Sequence, residues 1–112
     1  MTSGDQEPGP DGTATIRVAV PQHLRTLADV SGDVVVAVPP PVTVAAVVDA
    51  LESAHPVLAG TIRDRGTGRR RAMIRVYADG EDFSDTWTGT TLPDAVIDGR
   101  EPLRLVGAIA GG

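Results

Sequence analysis

The chain contains no cysteine and no lysine. Without cysteine there is no disulfide scaffold, no thiolate-bound zinc, no iron–sulfur cluster and no cysteine nucleophile. Any sulfur chemistry must therefore use sulfur delivered by another molecule. Without lysine there is no Walker lysine, no Schiff-base amine and no side-chain amine on this chain to receive an isopeptide bond. All ten basic residues are arginine. Aromatics are scarce, with one Trp, one Tyr and one Phe, too few for the stacking platforms that hold single-stranded nucleic acid. No apolar run approaches the roughly 20 residues needed to span a bilayer, and the first residues lack the charged-then-apolar pattern of a signal peptide. The expectation is a cytoplasmic protein with neither a membrane nor a nucleic-acid partner.

What is present fits one domain. The chain has 112 residues, 41% of them hydrophobic, enough for one core but not for separate catalytic and substrate domains. Thirteen Gly and nine Pro predict short elements and many turns. The net charge is −5 and the pI about 4.8, against a general polyanion binder. Residues 1–13 hold Asp5, Glu7 and Asp11, no arginine, and no large apolar side chain after Met1. They cannot bury enough surface to offset their ordering entropy and read as a disordered tail. The remainder has ten arginines against twelve acids, a balance of −2.

Thr15–Val20 reads as a first strand stopped by Pro21, followed by a helical turn or irregular connection over Pro21–Leu27. Ser31-Gly32-Asp33 turns the chain into a β-branched strand, Val34–Val38, that ends at three prolines. Thr43 is an N-cap candidate for a helix whose apolar stripe is Val44, Val47, Val48, Leu51 and Ala54, closed by Pro56. Val57, Leu58 and Ile62 predict a short packed turn. Arg63–Arg71 reads as a flexible basic loop and Met73–Ala78 as a third strand. Asp79-Gly80 is the strongest hairpin signal in the chain and places a short strand at Glu81–Phe83. Leu92–Ile97 forms a packed turn and Leu103–Val106 a last strand. A hairpin, one amphipathic helix and three further strands make α+β layering around a single core. The core candidates are Val47, Val48, Leu51, Ile74, Val76, Leu103 and Leu105.

The chain closes on Gly111-Gly112, directly after the last strand. Two residues without Cβ make a thin, extendable end that can thread a narrow channel. Its carboxylate is ionised at neutral pH and can attack the α-phosphate of ATP, giving an acyl-adenylate open to a sulfur or amine nucleophile. In this context the sequence resembles the MoaD/ThiS family of ubiquitin-like sulfur carriers, over about Ile16–Gly112. The residues that carry the resemblance are Ile16–Val20 running into Pro21-Gln22-His23-Leu24-Arg25, and Thr43 opening a helix that ends before Pro56. Leu92 ahead of Asp98-Gly99-Arg100-Glu101 and the Ala110-Gly111-Gly112 end add to them. The stretch MIRVYADGED, Met73–Asp82, is most similar to the carriers of a cysteine-biosynthesis route, with molybdopterin-synthase small subunits next. Family members commonly carry a proline just before the tail, where this chain has Val106-Gly107-Ala108.

The resemblance implies a β-grasp (ubiquitin-like) fold over 14–107, a mixed sheet with one main helix packed across it, and a flexible tail over 108–112. It implies a carrier rather than an enzyme. An E1-like adenylyltransferase would use ATP and magnesium on Gly112, a sulfur donor would convert the carboxylate to a thiocarboxylate, and a sulfur-accepting synthase would consume it. Gly111 and Ala110 would pass the channel and Ile109 would anchor the tail in an apolar pocket. The chain itself would bind no cofactor. Two other readings share the fold: a protein modifier conjugated through Gly112, and a non-covalent binding module.

Other features are weaker. Arg63–Arg75 carries six Arg and one Asp, and Asp79–Asp98 carries six acids and no Arg. The plain reading is solvated loops; the alternative is a pair of patches that steer different partners. Asp79, Glu81, Asp82 and Asp85 lack EF-hand spacing, and His23 and His55 have no evident co-ligands, so no metal site is expected. Trp87 reads as a lid on the edge of the core. No G-x-S-x-G, P-loop or Rossmann fingerprint occurs.

Overall fold

A computed structural model describes residues 12–107. The elements are β1 (Ala14–Ala19), α1 (Gln22–Ala28), β2 (Val34–Val38), α2 (Val44–Ala54), β3 (Ile74–Ala78), β4 (Glu81–Asp82), α3 (Asp94–Ile97) and β5 (Leu103–Gly107), with a 3-10 turn at Pro56–Leu58. The five strands form one sheet in the order β2-β1-β5-β3-β4. β1 runs antiparallel to β2, from Ala14 opposite Val38 to Val18 opposite Val34. β5 lies in the middle, parallel to β1 and antiparallel to β3. This mixed sheet with helices is the β-grasp, ubiquitin-like fold.

Pro21 cannot continue a strand ladder and instead caps α1 with φ −60°. The Arg25 guanidinium reaches back to the Val20 carbonyl at 2.6 Å and to Gln22 Oε1 at 2.6 Å. Asp29, in the left-handed region at φ 59°, ends the helix. The connection that the sequence left between helical turn and irregular chain is thus a two-turn helix. Its only fully buried side chain is Leu24, and Leu27 remains half exposed, which is why no apolar stripe announced it.

α2 follows its sequence pattern. Thr43 Oγ1 accepts the Ala46 N–H at 3.2 Å, satisfying one of the orphan donors of the first turn. Val44, Val47, Val48 and Leu51 are fully buried against the sheet. The His55 N–H closes the helix on the Leu51 carbonyl at 2.9 Å, and Pro56 prevents a further turn. Leu58 and Ile62 then bury completely beneath the following turn. All seven core candidates lie in the hydrophobic core. Trp87, partly buried, packs on its edge.

Asp79 (φ 50°) and Gly80 (φ 81°) form the tight β3–β4 turn, with Ala78 opposite Glu81. Two consecutive positive φ values match a type I′ hairpin turn, which an Asp-Gly pair adopts readily. β4 stops at Asp82 because Ser84 folds inward, where its hydroxyl accepts the Val76 N–H at 2.9 Å.

The Arg63–Arg71 segment corrects the expectation of a flexible basic loop. The Asp64 carboxylate accepts the N–H groups of Gly66 and Thr67, both at 2.8 Å. The Asp64 N–H bonds the Arg69 carbonyl, the Gly68 N–H bonds the Asp64 carbonyl, and Arg63 and Arg70 form a β-bridge. One acid inside the basic run nucleates a turn of the kind Asp favours, and the arginines then tie the loop down.

Candidate functional site

The expected reacting residue Gly112, and the tail residues Ile109, Ala110 and Gly111, lie outside the described residues. So does most of the N-terminal tail proposed for 1–13. The structure does describe what delivers the chain to its end. β5 is the third of five strands. On one side it is held by β3 along its whole length, from Leu103 opposite Ala78 to Gly107 opposite Ile74. On the other side β1 pairs only with Leu103 and Arg104, because Pro21 then turns the chain into α1.

That turn sets Pro21 and His23 against Gly107. A Cβ built on Gly107 would stand 2.8 Å from His23 Cε1 and 3.4 Å from Pro21 Cγ. Gly107 is not among the positive-φ glycines; a side chain there would require the exposed His23 ring to swing aside. The sequence set aside His23 as a residue without partners. The fold makes it the flank of the last described residue before the tail.

Side chains alternate along β5. Leu103 and Leu105 point into the core; Arg104 and Val106 are exposed. Their cross-strand neighbours on β3 are Tyr77 and Arg75, both half-buried, and Arg104 also lies beside Ala19 of β1. The open face of the sheet therefore carries an apolar and cationic strip, Val106, Tyr77, Ala19 and Arg104, leading to Gly107. The Arg104 guanidinium makes no ion pair with a described residue, whereas Arg75 is taken by Asp82. Sequence reasoning did not pick out this strip, although the alternation of LRLVG contains it.

The two opposite charge patches meet at two ion pairs. Arg70 pairs with Asp85 at 3.2 Å, and Arg75 with Asp82. Arg63 pairs with Asp49 and Glu52 of α2 at 2.5 and 3.0 Å. Burial opposes the charged form of Arg63, but the bonds to Glu52 and Asp49 outweigh it and hold its pKa above the ordinary value. The Ser84 hydroxyl and N–H, then the Arg75 guanidinium, draw the Asp82 carboxyl down to about 2. The backbone N–H groups of Thr67 and Gly66 lower Asp64. Among the described residues no three His, Asp or Glu side chains gather as a metal-binding group, and no helix is long and apolar enough to cross a membrane. A recess of about 650 Å³ between β2 and α2, lined by Val35, Ala46, Ala50 and Ala54, bears little polar chemistry.

No protein-family model matches the chain, and no curated protein matches it in sequence. Solved structures do. The fold is ubiquitin-like, and the solved structures similar to it at 26% identity are of a small archaeal modifier protein. The crystal structure of SAMP1 from Haloferax volcanii, a small archaeal modifier protein, superposes with a TM-score of 0.68 at 26% identity, covering 88% of this chain and 99% of that one. A chain of the Amycolatopsis orientalis BexX/CysO complex gives a TM-score of 0.66 at 24% identity, covering 86% and 98%. The Methanosarcina acetivorans SAMP1 solution structure, at 18% identity and TM-score 0.66, shares the fold.

Proposed function

We propose that the chain is a sulfur carrier of the MoaD/ThiS type, acting through Gly112 in the cytoplasm. An E1-like adenylyltransferase brings ATP and magnesium. A Gly112 carboxylate oxygen attacks the α-phosphate and pyrophosphate leaves. Hydrosulfide from a sulfur donor then attacks the acyl carbon, AMP leaves, and a thiocarboxylate remains for a sulfur-accepting synthase of the cysteine or molybdopterin type. The observation that carries the reading is the placement of β5. The central strand of the sheet runs out at Gly107, five residues before a Gly-Gly end that has no side chain to obstruct an enzyme channel. The strip formed by Val106, Tyr77 and Arg104 offers the activating enzyme a docking face next to that exit. Similarity to a chain of the BexX/CysO complex favours the carrier.

A second reading, conjugation of Gly112 to lysines of other proteins, is favoured by the similarity to a small archaeal modifier protein. The absence of lysine means that such a modifier would not build side-chain-linked chains of itself. Intact-mass spectrometry separates the two. With an E1-like enzyme, ATP, magnesium and a sulfur source, the carrier exchanges one oxygen for sulfur at Gly112, and deletion of Gly112 abolishes the exchange without unfolding the domain. Lysines of cellular proteins carrying the branched remnant that trypsin leaves after Arg104, the Leu105–Gly112 peptide, with no thiocarboxylate, would instead establish the modifier.

A further inference from the structure

Two features have no part in the carrier cycle: the arginine-rich 63–75 segment and the single tryptophan. The fold brings them together. Of the six arginines, Arg63, Arg70, Arg71 and Arg75 are paired with acids. The exposed Arg69 side chain has no hydrogen bond or ion pair with a described residue. It lines a cleft of about 400 Å³ together with Arg63, Arg70, Asp85, Trp87 and Thr88.

Trp87 is fixed at the back of this cleft. Its carbonyl accepts the Ala45 N–H at 3.0 Å, and its ring packs on the core. Its indole Nε1 is the buried side-chain polar atom that finds no acceptor among the described residues. Indole N–H can only donate, and a buried donor in a native fold ordinarily has a partner. The segment that carries it, from Asp85 to Thr90, is exposed apart from Trp87 and lies outside helix and strand. Nε1 is buried in this structure, so a ligand in the cleft reaches it only if that segment moves.

Charge selects the acceptor. Within the cleft Arg63 is already matched by Asp49 and Glu52, and Arg70 by Asp85. With Arg69, these three arginines and three acids sum to zero, and Arg69 is the guanidinium left without an acid partner among the described residues. A dianion would meet Asp85 with too little opposing charge. A carboxylate carries a single charge, fits the planar guanidinium fork and keeps lone pairs free for the indole N–H. We propose that the cleft between the 63–71 and 84–88 segments is a carboxylate-binding site, with Arg69 as the charged clamp and the Trp87 indole N–H as the second donor. The carboxylate belongs to a free small acid or to an acidic side chain of a partner.

The single tryptophan gives a direct readout, since the protein has one indole N–H resonance. The full chain is titrated with sodium acetate and, separately, with the blocked peptide acetyl-Gly-Glu-Gly-amide, at constant ionic strength maintained with chloride. The expected result is a saturable downfield movement of the indole proton that disappears in Arg69→Ala and persists in Arg65→Ala. Response to acetate as strong as to the peptide assigns a free small acid; response to the peptide alone assigns a partner side chain. Either one, with the Arg69 dependence, supports the site. No saturable movement with either probe, equal movement with inorganic phosphate, or an unchanged titration in Arg69→Ala overturns it.

Discussion

Asp82 ends β4 with the Ser84 hydroxyl, the Ser84 N–H and the Arg75 guanidinium all directed at its carboxyl, which falls from an ordinary 3.8 to about 2. The folded chain thus binds this proton more weakly than the unfolded chain. Stability from Asp82 is fully present above about pH 4 and is lost as pH falls toward about 2, where the unfolded state holds more protons. Asp64 is lowered as well and adds in the same direction. Urea unfolding followed across this window should show stability declining with acid, and Asp82→Asn should flatten the decline while leaving the pH dependence around neutrality unchanged. At this scale much was legible. Leu51 and Val76 could be named as core from periodicity alone, and both are fully buried. His23 beside Gly107 was not legible, because the contact joins residues far apart in sequence and depends on the way Pro21 turns the chain. The free charge on Arg69 was equally hidden, since six arginines look alike until their acids are placed.

Elements were readable where a local pattern had a local cause. α2 carried its cap, its stripe and its stop within Thr43–Pro56, and the β3–β4 turn was written in Asp79-Gly80. The cap has a definite energetic weight. Thr43→Ala removes the acceptor for the Ala46 N–H and should destabilise the protein by about 1 kcal/mol, read as a lower midpoint in chemical denaturation with unchanged slope. Thr43→Ser should retain most of that energy. α1 was less readable because one buried leucine is too little periodicity to distinguish a helix from a loop. The 63–71 segment was misjudged because composition reports charge but not pairing. Its order comes from Asp64 within the segment and from Asp49, Glu52 and Asp85 outside it.

The whole molecule is layered by its sheet order. β1 and β5 have a strand on each side, whereas β2 and β4 are edges. Backbone hydrogen bonds covered on both flanks open only with the whole fold, and edges open locally. Hydrogen exchange under native conditions should therefore find the slowest amides in β1, β5 and the neighbouring face of β3. The amides of the two-residue β4 should exchange far faster. Equal protection in β4 and β5 would contradict this layering. The sequence anticipated the strands and their number, but the order of strands in a sheet is set by long-range pairing, which no local residue pattern reports.

The parallel placement of β1 beside β5 also has a mechanical side. Tension applied between Ala14 and Gly107 would draw these neighbours past one another along their axes. The bonds that link them would then bear the load together rather than open one by one like a zipper. A partner hauling on the chain beyond Gly107 while β1 is held would load these two residue pairs in shear.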